Sequence, residues 1–160
     1  MGKLLICNMQ NLKRAKSILS SSRDKTLIIR KLNESLQNEV SDVIGKPFET
    51  LSEHNYYNQD LCLSANSKQC ITASWDHTLW LWDSNALKSK ITFFGDNQDI
   101  LSVTFSKDEK QIISGGMSKM ICVWNTEGEL KCEKENAHED WISSVKSSPE
   151  IDSETFFTTG

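Results

Sequence analysis

The chain has 160 residues, 38% hydrophobic and 25% charged, a balance suited to one globular domain with a sizeable core. No apolar run approaches the roughly 18 residues a membrane-spanning helix needs, and the opening Met1–Ile6 stretch is too short for a signal-peptide core, so a cytoplasmic chain is expected. The net charge of −4 hides a division: residues 1–31 hold eight Lys or Arg against the lone acid Asp24, for +7, while the remainder carries −11. The N-terminal segment is therefore the part suited to a polyanion.

Taken in chain order, the sequence repeats itself. Ser17–Thr26 (SILSSSRDKT) lies over Gln69–Thr78 (QCITASWDHT) and Gln111–Met120 (QIISGGMSKM), and Thr155–Gly160 (TFFTTG) begins the pattern again. The equivalent residues Asp24, Asp76 and Ser118 are 52 and 42 apart, and Gly116 to Gly160 adds 44. A period near 40–45 with a Trp-Asp ending marks WD40 blades, so an all-β WD40 β-propeller is expected. The third unit reads as a full blade: an alternating strand Ile100–Phe105, a polar turn, a strand over Gln111–Ser114, a strand over Met120–Trp124, and a fourth through Leu130 and Cys132. The long first period places an enlarged loop at 33–46, whose polar 33–38 stretch could be locally helical. Divided by the repeat, residues 1–46 are a first-blade remnant and loop, 47–88 blade 2, 89–132 blade 3 and 133–160 the start of blade 4. That makes about three of an expected seven blades.

Chemistry-bearing residues follow the same repeat. WD blades carry a buried hydrogen-bonded set of His, Ser or Thr, Asp and Trp, because a buried polar group without a partner costs a few kcal/mol. The second unit has all four as His54, Thr72, Asp76 and Trp82, with Ser74 as the alternative hydroxyl. The first keeps Asp24 but has Arg30 where Trp belongs. The third keeps Trp124 but has Asp96 in the His place and Ser118 in the Asp place, as if donor and acceptor had exchanged ends. The fourth has His138 and no room for the rest. This repeated structural role leaves no case for Ser-His-Asp catalysis. The five cysteines are odd in number and lack CxxC spacing, which speaks against a disulfide framework or a zinc site. Cys62, Cys70 and His54 fall on strand and repeat positions, so no metal or cofactor is expected.

Beyond the repeat, the segments Ser22–Thr26, Ser74–Leu79, Gly95-Asp96, Asp99–Val103 and His138–Val145 are similar in register to the receptor-for-activated-C-kinase family. Those are Gβ-like, seven-bladed scaffolds of the eukaryotic small ribosomal subunit. The resemblance runs from about Leu4 to Gly160; the Arg-Asp-Lys turn and the Asp-Ile-Leu-Ser-Val strand are its most telling parts. It implies a non-enzymatic scaffold whose partners are the small ribosomal subunit, both rRNA and ribosomal proteins, and signalling proteins such as protein kinase C. Neither a membrane nor a small-molecule substrate is implied. Carried over, Arg23 and Lys25 meet rRNA phosphates, and Lys13, Arg14 and Lys16 assist from the preceding turn. The family's opening strand has no counterpart before Leu4, and its later blades lie beyond Gly160. Ser147 stands where blade 3 has the aromatic Phe105. An open propeller of this kind would expose apolar blade faces and strand edges. The competing readings are a G-protein β subunit or another WD40 adaptor, although the heptads of a Gβ helix are absent, and a truncated copy without independent function.

Overall fold

The computed structural model describes residues 4–6, 17–31, 47–94, 96–148 and 155–160. The expected loop at 33–46 and the basic residues Lys13, Arg14 and Lys16 lie outside them. Among the described residues every regular element is a β-strand, fourteen in all.

Strands β1 (Leu4–Ile6), β2 (Ser17–Ser22), β3 (Leu27–Lys31) and β4 (Pro47–Leu51) form one antiparallel meander. A second comprises β5 (Asn58–Leu63), β6 (Gln69–Ser74), β7 (Thr78–Asp83) and β8 (Lys88–Phe94). The third has β9 (Ile100–Phe105), β10 (Gln111–Gly116), β11 (Ile121–Asn125) and β12 (Leu130–Lys134). The hairpin of β13 (Ser144–Ser147) and β14 (Phe156–Thr159) starts a fourth. The propeller-blade expectation therefore holds, as a partial propeller within this stretch of chain.

The sequence repeat and the sheets are offset by one strand. Pro47–Leu51 pairs with β3, and Lys88–Phe94 with β7, so each outermost strand belongs to the sheet before it. Boundaries at 47 and 89 cut the chain as the Trp-Asp repeat presents it; by hydrogen bonding, β4 and β8 close the sheets that precede them.

Burial explains the strand patterns. The inner β6 and β10 are buried on both faces, whereas β12 at the outside is exposed throughout. Inner strands thus read as continuous apolar or small-residue runs rather than alternating ones. The largest core cluster lies between the second and third sheets and includes Ile71, Leu79, Leu81, Phe93, Val103, Phe105 and Trp124. Leu27, Leu61, Cys70 and Trp82 join the first sheet to the second, and Ile113, Ile142 and Val145 join the third to the fourth. Phe156, paired across from Ser147, packs against this last cluster.

A polar ladder runs along the innermost strands. Asp60 Oδ2 accepts hydrogen bonds from Ser102 Oγ at 2.7 Å and the Val103 N–H at 3.1 Å, and Ser102 Oγ accepts the Val145 N–H at 3.1 Å. Asp60, Ser102 and Ser144 are spaced by the 42-residue repeat, so the first two rungs come from equivalent positions. Gly116 is required inside blade 3, where β10 pairs with the start of β9. A Cβ there would sit 2.2 Å from the Asp99 carbonyl oxygen, and the Gly116 carbonyl accepts the Ile142 N–H at 2.9 Å.

Candidate functional site

The β2–β3, β6–β7 and β10–β11 turns, with the loops that enter β5, β9 and β13, share one face of the assembly. Trp75 N–H bonds to the Tyr57 carbonyl, Met117 N–H to the Asp99 carbonyl and Ala137 N–H to the Lys119 carbonyl, tying the β6–β7 and β10–β11 turns to the neighbouring loops. All three turns place a non-glycine residue in the left-handed region, Lys25 (φ 72°), His77 (φ 67°) and Lys119 (φ 62°). Nothing in the residue types signalled this, because glycine is the usual occupant.

Below this face, blade 2 holds a continuous hydrogen-bond chain. Trp82 Nε1 donates to Thr72 Oγ1 at 2.9 Å, Thr72 Oγ1 meets His54 Nε2 at 2.7 Å, and His54 Nδ1 meets Asp76 Oδ2 at 2.8 Å. Burial of the Asp76 carboxyl works against its charge, but it is outweighed by the hydrogen bonds from His54, Thr78 and the Asn55 N–H. Its pKa is held well below the usual carboxylate range. Asp76 is therefore the acceptor, which assigns the proton to His54 Nδ1, the acceptor role to Nε2 and the intervening donor to the Thr72 hydroxyl. Ser74, the alternative hydroxyl, instead accepts the Asp76 N–H at 3.1 Å. Thr72 is fully buried, so no substrate could reach its hydroxyl.

The other blades carry parts of this chain. In blade 3, Ser118 Oγ donates to Asp96 Oδ2 at 2.9 Å, the exchange of donor and acceptor anticipated above. Trp124 Nε1 donates to Ser114 Oγ at 3.0 Å, giving two separate pairs in place of one chain. Burial raises the Asp96 pKa despite the bonds from the Gln98 N–H and Ser118. In blade 4, His138 Nε2 meets Thr158 Oγ1 at 2.7 Å. The expectation that this unit had no room for the rest of the set needs correcting for its hydroxyl member. Thr158 sits one strand on, at the Thr72 position, and the Thr155–Gly160 alignment already contained it. In blade 1, Asp24 Oδ1 accepts from the Thr26 N–H at 3.0 Å and the Thr26 hydroxyl at 2.6 Å. Arg30, in the Trp position, is half-buried.

Arg23 and Lys25 flank this Asp24 turn. Lys25 is exposed. Arg23 is half-buried, with its guanidinium 5.1 Å from the Trp75 ring centre and 5.9 Å from that of Tyr57, and its Nη2 donating to Gln59 at 3.5 Å. It belongs to the blade 1–2 junction as much as to the surface, a role the sequence pattern did not disclose. Trp80 is a packing residue, stacked on Trp82 with ring centres 5.7 Å apart, while Trp141 is about half exposed. A shallow cleft of about 480 Å³, lined by Lys119, Asn136, Ala137, His138 and Glu139, opens at the blade 3–4 junction. Among the described residues no group of three His, Cys, Asp or Glu side chains could hold a metal ion. Cys62, Cys122 and Cys132 are free thiols, with the Cys122 pKa pushed up to about 12 chiefly by burial.

Comparison with known proteins agrees with this architecture. The WD domain, G-beta repeat model matches residues 45–83 and 87–125. Cross-pathway control WD-repeat protein 2 of Flammulina velutipes is 39% identical over 144 residues, covering 89% of this chain and 44% of the relative. Small ribosomal subunit protein RACK1 of Caenorhabditis elegans is 39% identical over 134 residues, covering 83% and 41% respectively. The RACK1 protein of Candida albicans is 39% identical over 138 residues, covering 86% and 42%. The chain thus spans less than half the length of these relatives.

Proposed function

Because this chain is a RACK1-like member of the WD-repeat family, we propose that it is a non-enzymatic scaffold of the cytoplasmic small ribosomal subunit. It meets rRNA through the turn of blade 1 and presents its other loops to signalling proteins such as protein kinase C. The observation that carries the RNA assignment is the placement of Arg23 and Lys25 on either side of Asp24. Burial of the Asp24 carboxyl is offset by the Thr26 and Ser22 bonds that lower its pKa and occupy it within the turn. The turn thus offers a partner two cations around one ionised, hydrogen-bonded carboxylate, for a net charge of +1. They fall in the segment that carries +7. Lys25 supplies an exposed ammonium and Arg23 a guanidinium braced by two rings, both suited to phosphate oxygens. Lys13, Arg14 and Lys16 extend the same basic segment in sequence and belong to the proposal on charge alone. The buried blade-2 chain of His54, Thr72, Asp76 and Trp82 has the structural task of fixing the face that carries the turn.

The test is co-sedimentation of the purified chain with small ribosomal subunits at low and moderate salt. Wild type is expected to bind with strong salt sensitivity; Lys25→Glu should lose that binding while keeping wild-type tryptophan fluorescence, and Arg23→Asp/Lys25→Glu should lose it while keeping the far-UV circular dichroism of the sheets, since Arg23 itself lies over the Trp75 ring. Binding by both variants equal to wild type would overturn the assignment. Among the described residues no helix is long and apolar enough to cross a membrane.

A further inference from the structure

The rings beside Arg23 form an ordered series. Trp75 and Tyr57 lie 5.5 Å apart, Tyr56 and Tyr57 4.4 Å apart, and Tyr56 is near-parallel to Trp75 at 23° with a 6.4 Å separation. The Arg23 guanidinium covers the Trp75 and Tyr57 side of this series. Tyr56, at the other side, is 45% exposed and belongs to none of the hydrophobic clusters. Its backbone is nonetheless held firmly. The preceding Asn55 N–H bonds to Asp76 Oδ2 at 2.8 Å, and the Trp75 N–H bonds to the Tyr57 carbonyl at 3.0 Å. A large ring is therefore kept at the surface on a pedestal fixed by the buried blade-2 chain, next to the cationic turn.

Folding gains little from an exposed ring so placed, whereas a polyanion with planar groups would use both the ring and the cations. Nucleic acid has that chemistry, and an aromatic face engages a base only when the base is unpaired and unstacked. Charge complementarity points the same way, because the neighbouring segment 1–31 carries +7 in a chain that is otherwise acidic. We propose that Tyr56, backed by Tyr57 and Trp75, is a stacking platform for one unpaired base of an RNA whose phosphates lie on Arg23 and Lys25. This inference rests on the RNA reading above and adds single-stranded selectivity to it.

The experiment measures binding of the full chain to two fluorescently labelled RNAs of equal phosphate number, one unable to pair and one a duplex. Wild type, Tyr56→Ala, Tyr56→Phe and Lys25→Glu are compared at several salt concentrations. Tyr56→Ala is expected to weaken single-strand binding at least about fivefold, to leave duplex binding unchanged and to keep the salt slope, since stacking involves no counterion release. Tyr56→Phe retains the ring and should stay close to wild type. Lys25→Glu should weaken both RNAs and flatten the salt slope. If Tyr56→Ala binds the single strand as wild type does while Lys25→Glu is impaired, the platform is wrong and the phosphate reading stands. Equal weakening of both RNAs by Tyr56→Ala also overturns the platform, since it shows a shape effect on the turn. If Lys25→Glu matches wild type on both RNAs, or wild type binds neither, the phosphate reading falls and the platform falls with it.

Discussion

Thr72→Val isolates the hydroxyl that joins the two halves of the blade-2 chain. Valine keeps the β-branched shape suited to a strand and replaces only the group that donates to His54 Nε2 and accepts from Trp82 Nε1. Thr72 is 0%, Trp82 2% and His54 4% exposed, so water does not stand in for the lost partner. Each of the two orphaned groups costs about 1–3 kcal/mol, and the added methyl returns about 0.8 kcal/mol, for a net loss of about 1–5 kcal/mol. Urea denaturation followed by tryptophan fluorescence measures this for Thr72→Val, Thr72→Ser, Trp82→Phe and Thr72→Val/Trp82→Phe. Thr72→Ser keeps the hydroxyl and should lose only about 1 kcal/mol for its methyl. In the Trp82→Phe background the indole N–H is already gone, so Thr72→Val should cost about 1–3 kcal/mol less than in wild type. If Thr72→Val is no more harmful than Thr72→Ser, or costs the same in both backgrounds, the reasoning from unsatisfied buried groups is refuted.

Further predictions concern the other blades and pH. The double variant Asp96→His/Ser118→Asp should restore a continuous chain to blade 3 and melt higher than either single variant, with a coupling of about 1–3 kcal/mol in a thermal double-mutant cycle. Asp76, whose folded pKa is depressed, contributes stability that is present above its ordinary value of 3.8 and is lost as pH falls through the folded value. Asp76→Asn should therefore be less stable than wild type at pH 7, with the gap closing in acid denaturation profiles. Asp96 has the opposite sign: its folded pKa is raised, so its contribution is present below 3.8 and is lost as pH rises through the folded value. Asp96→Asn should raise the melting temperature at pH 7 and gain little below pH 3.8. Asp60→Ala should cost about 2 kcal/mol or more in urea denaturation, because it strands the Ser102 hydroxyl and the Val103 N–H.

The propeller blades were legible because the repeat carries both the strands and their punctuation. Three positions, Asp24, Asp76 and Ser118, were enough to align turns that the structure makes alike. The contents of the blade-2 chain were legible for the same reason, since four residue types recur at fixed places in a repeat. What escaped was whatever depends on contact between blades. Arg23 reads as a surface cation, and only the approach of Tyr57 and Trp75 makes it a junction residue. Asp60 reads as one of many acids, and its role appears only when Ser102 is brought across 42 residues. Thr158 stands at the Thr72 position of the fourth repeat, but it becomes the partner of His138 only where β14 is folded beside β13.

The ladder of Asp60 and Ser102 also bears on how such a chain tolerates change in length. The first repeat is ten residues longer than the second, and the surplus falls between β3 and the outermost β4, far along each sheet from the strands that carry the rungs. From blade 2 to blade 4 the inner strands count by side chains of their own, and the surplus of the first repeat lies outside that count. Insertions at the rim can therefore accumulate without shifting the hub, and new surface can be added there while the angular phase of the blades is preserved.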